Sequence, residues 1–331
     1  MEDIYFNLNY GKLYEKIENG VACIWEYKGE EGHIKHMFIK RAIPQLVYGT
    51  RYYDLITPYG YGGPYIVSIS TGYSKEMLLN AFENSFQKYC EEENIVSEFI
   101  RFYPLSSNGV DFQRIYNSIL NRYTLGTNLK DYEDPIQMEF SKSCRKTIRQ
   151  IIKKGVTYRA TRSPQDISKF IEIYYLNMER KCADTYYFFE KDYFEKIMQY
   201  FSENVLLAEA IYCNKTIAAG LYFLSNNVIH AHLSGTDTEY LDLSPAYILK
   251  YGTVLWGKEN QFDFIHYGGG TTCSKEDPLF TFKKKFSQNT ELPFYIGKKI
   301  WNKNIYEVLC KDINVDENSD FFPLYRKNSK T

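Results

Sequence analysis

Strand-like and helix-like segments alternate along all 331 residues, and this alternation constrains the fold more than any other feature. Apolar or β-branched runs such as residues 21–27, 33–43 and 205–213 predict strands. Between the strands, Ser74 and Ser141 stand where the N-caps of amphipathic helices are expected. The pattern predicts a protein of the α/β or α+β class with mixed sheets.

Both halves of the chain show a similar alternation, although no sequence repeat is obvious. The length suits two domains of ordinary size. We expect domain 1 to cover residues 1–150 and domain 2 to cover residues 151–331. The tail after Asp312 is polar, and we expect it to be loosely held.

Residues 52–66, YYDLITPYGYGGPYI, contain five tyrosines, three glycines and two prolines. The prolines fix φ, while the glycines accept positive φ or allow another group close to the backbone. Tyr59 and Tyr61 are therefore predicted to project from a rigid turn. The segment alone leaves two interpretations open, an aromatic-rich structural turn or a recognition surface.

Composition and charge exclude several classes of function. The net charge of −1 argues against bulk attraction to nucleic acid or membrane, so DNA is not an expected partner. The seven cysteines are scattered and form no C-x-x-C motif, which fits a reduced, cytoplasmic compartment. The first residues do not resemble a signal peptide, and no apolar run is long enough to predict a membrane span.

The helix predicted in residues 141–155, SKSCRKTIRQIIKKG, is cationic on one side. The predicted apolar face comprises Cys144, Ile148, Ile151 and Ile152. The opposite face comprises Lys142, Arg145, Lys146, Arg149 and Lys153. Like charges at i,i+4 spacing repel, and no acidic residue lies between positions 142 and 160. A phosphate or diphosphate ligand would relieve this repulsion, and a solvated helix face is the other interpretation.

The sequence YGGGTT, from Tyr267 to Thr272, follows a predicted strand. Glycines there can direct backbone N–H groups at an anion or an oxyanion, which makes Tyr267, Gly268 and Gly269 candidate binding residues. The segment has neither the P-loop nor the dinucleotide-fold spacing.

Residues 280–286, FTFKKKF, place Lys283 beside Phe282, at the border of an aromatic side of the turn. A lysine held there can stabilise negative charge that develops in a transition state, or it can neutralise a carboxylate. A surface lysine with a buried apolar stem is the alternative.

Two other kinds of site find no support in the sequence. His230, His232 and His266 could form a metal trio, but no carboxylate or cysteine stands at a supporting spacing, so we expect no metal. No G-x-S-x-G motif is present, and no cysteine has a neighbour that identifies it as a nucleophile.

Six motifs together resemble the FemA/FemB-like transferases of the GNAT superfamily, which include the FemX-type enzymes. In chain order they are YYDLITPYGYGGP, RFYPL, CRKTIRQIIKKGV, LSGTDTEYLDLSPAYILKYG, FIHYGGGT and DPLFTFKKKFS. Each motif is loose, but the order is that of the family, from about residue 20 to about residue 310. The resemblance implies two tandem GNAT-like domains, each a mixed, mostly antiparallel sheet flanked by helices.

The resemblance also implies an activity. Family members join an acyl or aminoacyl group to an amine of a UDP-linked or lipid-linked cell-wall precursor, with aminoacyl-tRNA as the best-known donor. By this resemblance, Arg145 and Arg149 contact a diphosphate, and Lys283 of the F-K-x-x-F motif stabilises the oxyanion or the leaving group. Tyr59 and Tyr61 would pack on sugar or peptide, while Gly62 and Gly63 leave room for the acceptor.

Two departures from the family pattern limit what the resemblance implies. The chain lacks the charged helical hairpin that some members carry, and it lacks a clear R/Q-x-x-G-x-G/A loop for acyl-CoA. The donor is therefore expected to be aminoacyl-tRNA or acyl-CoA, with no tightly bound cofactor. The alternatives are an acyl-CoA-dependent N-acyltransferase of an amino sugar or amino acid, and a non-catalytic module that binds a phosphorylated sugar. We expect a cytoplasmic protein that could work at the inner face of the membrane.

Overall fold

The computed structural model describes residues 2–311 and 321–327. Within them the strands are β1 Gly20–Gly29, β2 Gly32–Val47, β3 Thr50–Ile56, β4 Tyr65–Ile69, β5 Ile95–Arg101, β6 Ile119–Asn128, β7 Thr157–Arg162, β8 Val205–Tyr212, β9 Lys215–Ser225, β10 Val228–Thr236, β11 Phe264–Gly268 and β12 Glu291–Ile300. The α-helices are α1 Leu8–Leu13, α2 Glu15–Glu18, α3 Lys75–Glu92, α4 Asn108–Asp111, α5 Gln113–Tyr116, α6 Pro135–Glu139, α7 Lys142–Lys153, α8 Ser168–Arg180, α9 Lys191–Phe201, α10 Ala246–Glu259, α11 Pro278–Lys284 and α12 Lys303–Cys310. Short 3-10 helices include Thr238–Leu243, which lies before α10.

The chain forms two compact units. The N-terminal unit comprises Glu2–Asn121 together with the chain from Pro293 onward. Its strands are ordered β1-β2-β3-β5-β12, and β4 also pairs with β2. The β3–β5 pair is parallel, and the other pairs are antiparallel. Aromatic side chains dominate its core, including Phe38, Phe82, Phe86, Phe102, Phe112, Tyr116 and Trp301.

The central unit comprises Arg122–Leu292. Its strands are ordered β6-β11-β10-β9-β8-β7, with β10 and β11 parallel and the other pairs antiparallel. Helices α7 and α10 contribute apolar side chains to its core. These are Cys144, Ile148 and Ile151 from α7, and Ile248, Leu249 and Val254 from α10.

The two units share one order of strand pairing. Three antiparallel strands (β1-β2-β3 or β8-β9-β10) are followed by a parallel partner and then by an antiparallel final strand. The parallel partner is β5 in the N-terminal unit and β11 in the central unit. The predicted fold class, mixed and mostly antiparallel sheets flanked by helices, is confirmed.

The compact units differ from the predicted domains 1–150 and 151–331. Helix α7 buries Cys144, Ile148 and Ile151 in the core of the central unit, so a boundary at residue 150 would cut through a helix. In addition, β12 follows the central unit in the chain but pairs with β5 in the N-terminal unit. The chain therefore returns to its first unit after completing the second.

Most of the predicted elements are present. Ser74 and Ser141 cap α3 and α7 by accepting hydrogen bonds from the N–H groups of Met77 and Cys144, each at 3.2 Å. Ser163 followed by Pro164 predicts a helix that begins there and runs through Arg180, but α8 begins at Ser168. Strands β3 and β6 are absent from the sequence prediction. Ile152, predicted to lie on the buried face of α7, is 44% exposed.

Part of the tail after Asp312 lies outside the described residues, so its predicted looseness stays a prediction there. Residues 321–327 are anchored instead, which corrects the prediction for that stretch. The Tyr325 hydroxyl lies 2.6 Å from Ser97 Oγ and donates to Asp54 Oδ2 at 3.2 Å. The Arg326 guanidinium also pairs with Asp54, whose carboxylate is buried. Among the described residues, no helix combines the length and apolar composition needed to cross a membrane.

Candidate active site

The parallel pair of the central unit ends where the predicted glycine loop begins. The last residues in register are His230 of β10 and His266 of β11. Ligands commonly bind beyond the carboxyl ends of parallel strands, where the chains diverge. Burial, His230 and Lys283 together lower the pKa of His266 well below its ordinary value, and its Nε2 lies 2.9 Å from Thr124 Oγ1. Within residues 2–311 and 321–327, no cluster of His, Cys, Asp or Glu could hold a metal ion.

The loop after β11 is tightly held. Arg122 Nη1 donates to the Gly270 carbonyl at 2.9 Å and also to the carbonyls of Thr271 and Thr272. A Cβ atom at Gly270 would lie 2.5 Å from Asp277 Oδ1, so glycine allows this close approach. Gly268 has φ 71°, which favours glycine as well.

Asp277 joins this loop to α11. Its Oδ1 accepts from Phe280 N at 2.9 Å and caps the helix, while its Oδ2 accepts from Thr271 N and Thr272 N at 3.0 and 2.9 Å. Burial acts to raise the pKa of Asp277, but these backbone hydrogen bonds outweigh it and lower the pKa to about 2. The carboxylate is therefore a permanent negative charge beside the loop.

Lys283 lies in the last turn of α11, and its side chain reaches back to the loop. Its Nζ donates to the Gly269 carbonyl at 2.6 Å. Burial lowers its pKa from 10.5 to about 8; Asp277 opposes this shift, while Lys181 and Arg122 add to it. The lysine thus remains mostly protonated at pH 7, in a poorly hydrated position where a cation acts strongly on a nearby charge. Lys283 and Gly269, two of the predicted site residues, are brought into direct contact.

A second lysine lies against Tyr267, the residue before the glycine loop. Lys250 of α10 holds its Nζ 4.0 Å from the centre of the Tyr267 ring and 5.8 Å from that of Phe286. Burial, and then the charge of Lys283, lower its pKa to about 7, while Cys144 opposes the shift. The sequence analysis missed Lys250. One signal could have revealed it, since it is the only charged residue between positions 246 and 257 of an otherwise apolar helix.

The ring of Tyr267 lies against the Lys250 ammonium. Its side chain is 2% exposed, and its hydroxyl lies 2.7 Å from Thr127 Oγ1. Burial raises its pKa above the ordinary value. The ring therefore presents its electron-rich face to a cation rather than its hydroxyl to a substrate.

The cationic face of α7 is exposed, but its two arginines differ. Arg145 Nη1 donates to the Gln137 carbonyl at 2.9 Å and also to the Phe140 carbonyl. Arg149 makes no hydrogen bond or ion pair with any residue that the structure describes. A groove of about 510 Å³ runs beside this helix. It is lined by Thr147, Gln150, Ile151, Lys153, Lys154, Asp242, Leu243 and Ser244.

The predicted turn of the N-terminal unit is built into an aromatic cluster. The Tyr61 ring packs edge-to-face on Tyr5 at 5.2 Å and on Phe294 at 5.4 Å. The Tyr59 carbonyl accepts from the Tyr10 hydroxyl at 2.8 Å. Both tyrosines are half-buried, and their role in substrate binding stays a prediction.

The glycines of this turn are packed against protein. Gly62 N donates to the Arg101 carbonyl at 2.8 Å, and Gly63 has φ 86°. Both glycines are buried, and their predicted role in leaving room for an acceptor stays a prediction. A Cβ atom at Gly63 would lie 2.8 Å from Ile100 Cγ2 and 3.0 Å from Phe102 Cδ1.

Substituting Gly63 with alanine should lower the free energy of unfolding by about 2 to 4 kcal/mol, because it adds a steric clash to backbone strain. Gly49 is a matched control, since it has φ 76° and nothing within 4 Å of its ideal Cβ. Gly49→Ala should cost only the backbone strain, about 1 to 2 kcal/mol. Urea denaturation of both variants measures the difference, and equal losses would contradict the packing role of Gly63.

The pKa of Lys283 predicts a stability change with pH. In the unfolded chain, Lys283 has the ordinary lysine pKa near 10.5. Between pH 8 and 10.5 the unfolded state therefore binds more protons than the folded state. The contribution of Lys283 to the free energy of unfolding should therefore rise with pH in this window and stay flat below it. Urea denaturation of the wild type and Lys283→Met across pH 7 to 10.5 tests this. A difference between them that does not change with pH would show that the pKa is not lowered.

Comparison with known proteins agrees with this architecture. Residues 139–284 match the family model of the acetyltransferase (GNAT) domain. The matched stretch contains α7, Lys250, the glycine loop and Lys283. No curated protein matches the sequence. The match assigns an acetyltransferase (GNAT) domain to residues 139–284, and it supports an enzyme of the acyltransferase class.

Superposition on solved structures identifies proteins that have a similar fold. FemX superposes with a TM-score of 0.65 at 14% identity, covering 91% of this chain and 92% of FemX. A C-terminal domain assigned to a lysylphosphatidylglycerol synthetase of Agrobacterium fabrum gives 0.56 at 12% identity, covering 94% and 91%. L-PGS of Bacillus licheniformis gives 0.55 at 12% identity, covering 88% and 92%. The chain has the FemX-like GNAT fold, which confirms the resemblance seen in its motifs.

Proposed function

We propose that this acyltransferase forms an amide on an amine of a nucleotide-linked or lipid-linked cell-envelope precursor, with an acyl or aminoacyl group as the transferred unit. The observation that carries the proposal is the part-buried ammonium of Lys283, fixed by Gly269 at the end of the parallel strands. The glycine loop and α11 position this charge before any substrate arrives. Such preorganised charge suits a reaction that passes through an anionic intermediate.

The chemistry follows from this placement. A neutral amine attacks the carbonyl carbon of an ester, as in aminoacyl-tRNA, or of a thioester, as in acyl-CoA. A C–N bond forms, and the carbonyl oxygen becomes a tetrahedral oxyanion. Lys283 Nζ carries three hydrogens and donates one to Gly269, so the others can stabilise the oxyanion or protonate the leaving oxygen or sulfur. Collapse of the intermediate breaks the C–O or C–S bond and releases the amide.

The proposed acceptor carries phosphate, and α7 supports this. Lys146, Arg149 and Lys153 are exposed, and none has an acidic partner among the described residues. Phosphate would relieve their mutual repulsion, and arginine can bind it in bidentate fashion. One structural neighbour is named as a lysylphosphatidylglycerol synthetase, so its named product is an aminoacylated phospholipid. This name supports a phosphate-bearing acceptor for this protein. We place the reaction in the cytoplasm, at the inner face of the membrane when the acceptor is lipid-linked.

A donor screen tests the proposed function. The purified protein is incubated with aminoacyl-tRNA or acyl-CoA and with UDP-linked or lipid-linked amine acceptors, and mass spectrometry detects the mass added to the acceptor. Transfer from either donor to such an acceptor supports the proposal. Transfer only to a free amino sugar or amino acid would favour the small-molecule N-acyltransferase. Acceptor binding with no transfer from any donor would favour the non-catalytic module.

Charge reversal on α7 tests the phosphate contact. Arg149→Glu should weaken binding of a UDP-linked precursor by about tenfold or more, because it replaces a charge-assisted contact with repulsion. Isothermal titration calorimetry at low and high salt measures the effect. Lys191→Glu on α9, whose side chain is 84% exposed, is the control and should leave binding unchanged. Equal affinity of Arg149→Glu and the wild type would contradict the assignment of this face to diphosphate.

A further inference from the structure

The Lys250 ammonium lies in a setting that protein groups do not satisfy. Among the residues that the structure describes, none accepts a hydrogen bond from its Nζ or forms an ion pair with it. Its neighbours are the face of Tyr267 and the ring of Phe286. A lysine serving only stability would be expected to carry its charge to solvent or to a carboxylate. Lys250 is instead part-buried, and its Nζ lies against two aromatic rings beside the candidate active site with no protein acceptor among the described residues.

The two lysines of this site are held differently. Lys283 donates to a carbonyl and feels the negative charge of Asp277, and both interactions favour its protonated form. Lys250 has neither a carbonyl acceptor nor a carboxylate partner, only the faces of Tyr267 and Phe286, and burial and then the charge of Lys283 from α11 disfavour its protonation. In the described part of the chain, the ionisable groups near Lys250 also include the Cys144 thiol of α7 and the Tyr267 phenol of β11, and burial raises the pKa of both, so both stay neutral at pH 7. Lys250 is therefore the lysine of this site that loses its proton more easily.

We propose that Lys250 is the general base of the transfer, accepting the proton that the attacking amine must lose. The proposal rests on the proposed function, because it assigns the proton transfer within that reaction. Pairs of titratable groups with different environments commonly divide the acid and base roles. A neutral lysine amine beside a cationic lysine fits this division, with Lys250 as the base and Lys283 as the electrostatic partner.

The proton balance is complete within this arrangement. The acceptor amine attacks the acyl carbon, so its nitrogen acquires a positive charge as the C–N bond forms. The lone pair of neutral Lys250 Nζ takes one proton from that nitrogen. The leaving alkoxide or thiolate takes a proton from Lys283 or from water when the C–O or C–S bond breaks. Lys250 then releases its one extra proton to solvent, and Lys283 regains a proton from solvent if it supplied the leaving group, so the site is reset with no oxidant or further reactant.

The basicity of Lys250 can be measured without any substrate. Protein carrying lysine labelled with ¹³C at Cε is titrated by NMR from pH 5.5 to 10.5, and the Lys250 resonance is assigned by its absence in Lys250→Arg. We expect it to titrate near pH 7, whereas exposed Lys191 should titrate near 10.5. Titration of Lys250 near 10 would overturn the proposal whatever the donor and acceptor prove to be.

Kinetics of three variants separate a base from a cationic binding group. Lys250→Met should lower kcat by about 10²- to 10³-fold, in the range of general base catalysis. Lys250→Arg should be as defective, because arginine keeps the charge but cannot lose its proton. Small primary amines should partly restore Lys250→Ala, and Lys191→Met should retain wild-type kinetics.

The pH profile completes the test and separates two kinds of failure. In the wild type, the acid limb of the kcat profile should have a midpoint near pH 7. In Lys250→Ala rescued by small amines, the midpoint of this limb should shift with the pKa of the amine that is added. An active wild type with an active Lys250→Arg would refute the base and leave the proposed function standing. A wild type that transfers no acyl group would refute the proposed function, while the NMR titration would still decide the state of Lys250.

Discussion

Replacing Lys283 with methionine should reduce kcat by about 10²- to 10³-fold, with a smaller change in KM. Removal of one preorganised oxyanion donor has this order of effect in other acyl transfers. Methionine keeps the length and apolar stem of the lysine, so the aromatic packing around Phe282 and Phe286 should persist. The loss should appear in single-turnover rates with the donor and acceptor that the screen identifies.

A neighbouring lysine provides the matched control. Lys284 is next in sequence on α11, but its Nζ pairs with Glu291 at 2.8 Å instead of reaching the glycine loop. Lys284→Met should leave kcat within about twofold, since a part-exposed ion pair of this kind contributes little. A fully active Lys283→Met, or an equal loss in both variants, would remove Lys283 from the reaction.

Sequence was sufficient to find Lys283 because its surroundings are local. Phe282 and Lys283 lie in α11 and Phe286 follows two residues after its end, so their spacing in sequence already suggests that the lysine borders an aromatic side. Lys250 and Asp277 act through contacts that are distant in sequence or made with backbone groups. The ring beneath Lys250 belongs to Tyr267, and the charge that lowers its pKa belongs to Lys283. Contacts of this kind do not appear as a sequence motif, so Lys250 and Asp277 were missed.

The aromatic turn of the N-terminal unit shows a different limit. Its prolines and glycines predicted a turn, because those residues restrict or extend φ directly, and Gly60 and Gly63 do have positive φ. The sequence could not tell whether the glycines made room for a ligand or for protein atoms. At Gly63 the nearby atoms belong to Ile100 and Phe102, from a strand almost forty residues away in the chain. Local backbone propensity therefore predicted that this segment forms a turn. What packs against the glycines of the turn is determined by tertiary contacts, which the sequence does not show.

The boundaries of the two compact units could not be predicted from the sequence, because the chain returns to its first unit after completing the second. Boundaries are inferred where composition changes, but β12 returns to the N-terminal unit without such a change. The pairing of β12 with β5 is a long-range contact that no local pattern encodes. By contrast, helix α7 was predicted almost to its ends, because its cap and its apolar spacing are both local.

Replacing Asp277 with asparagine should change stability and catalysis together. The amide can still cap α11 through its oxygen, but its NH₂ group cannot accept from the N–H groups of Thr271 and Thr272. Leaving these donors without an acceptor should lower the free energy of unfolding by about 1 to 3 kcal/mol. The loop that holds Lys283 should also loosen, and a displacement of the order of 1 Å at such a position can cost about 10²-fold in rate.

The pH profile of Asp277→Asn separates electrostatics from simple loosening. Asp277 raises the pKa of Lys283, so loss of its charge should lower that pKa below about 8. Because the oxyanion role needs a protonated lysine, the alkaline limb of the kcat profile should move to lower pH. Glu276→Gln, an exposed neighbour, is the control and should keep both the wild-type stability and the wild-type profile. A destabilised Asp277→Asn with an unmoved alkaline limb would show that Asp277 holds the loop without tuning Lys283.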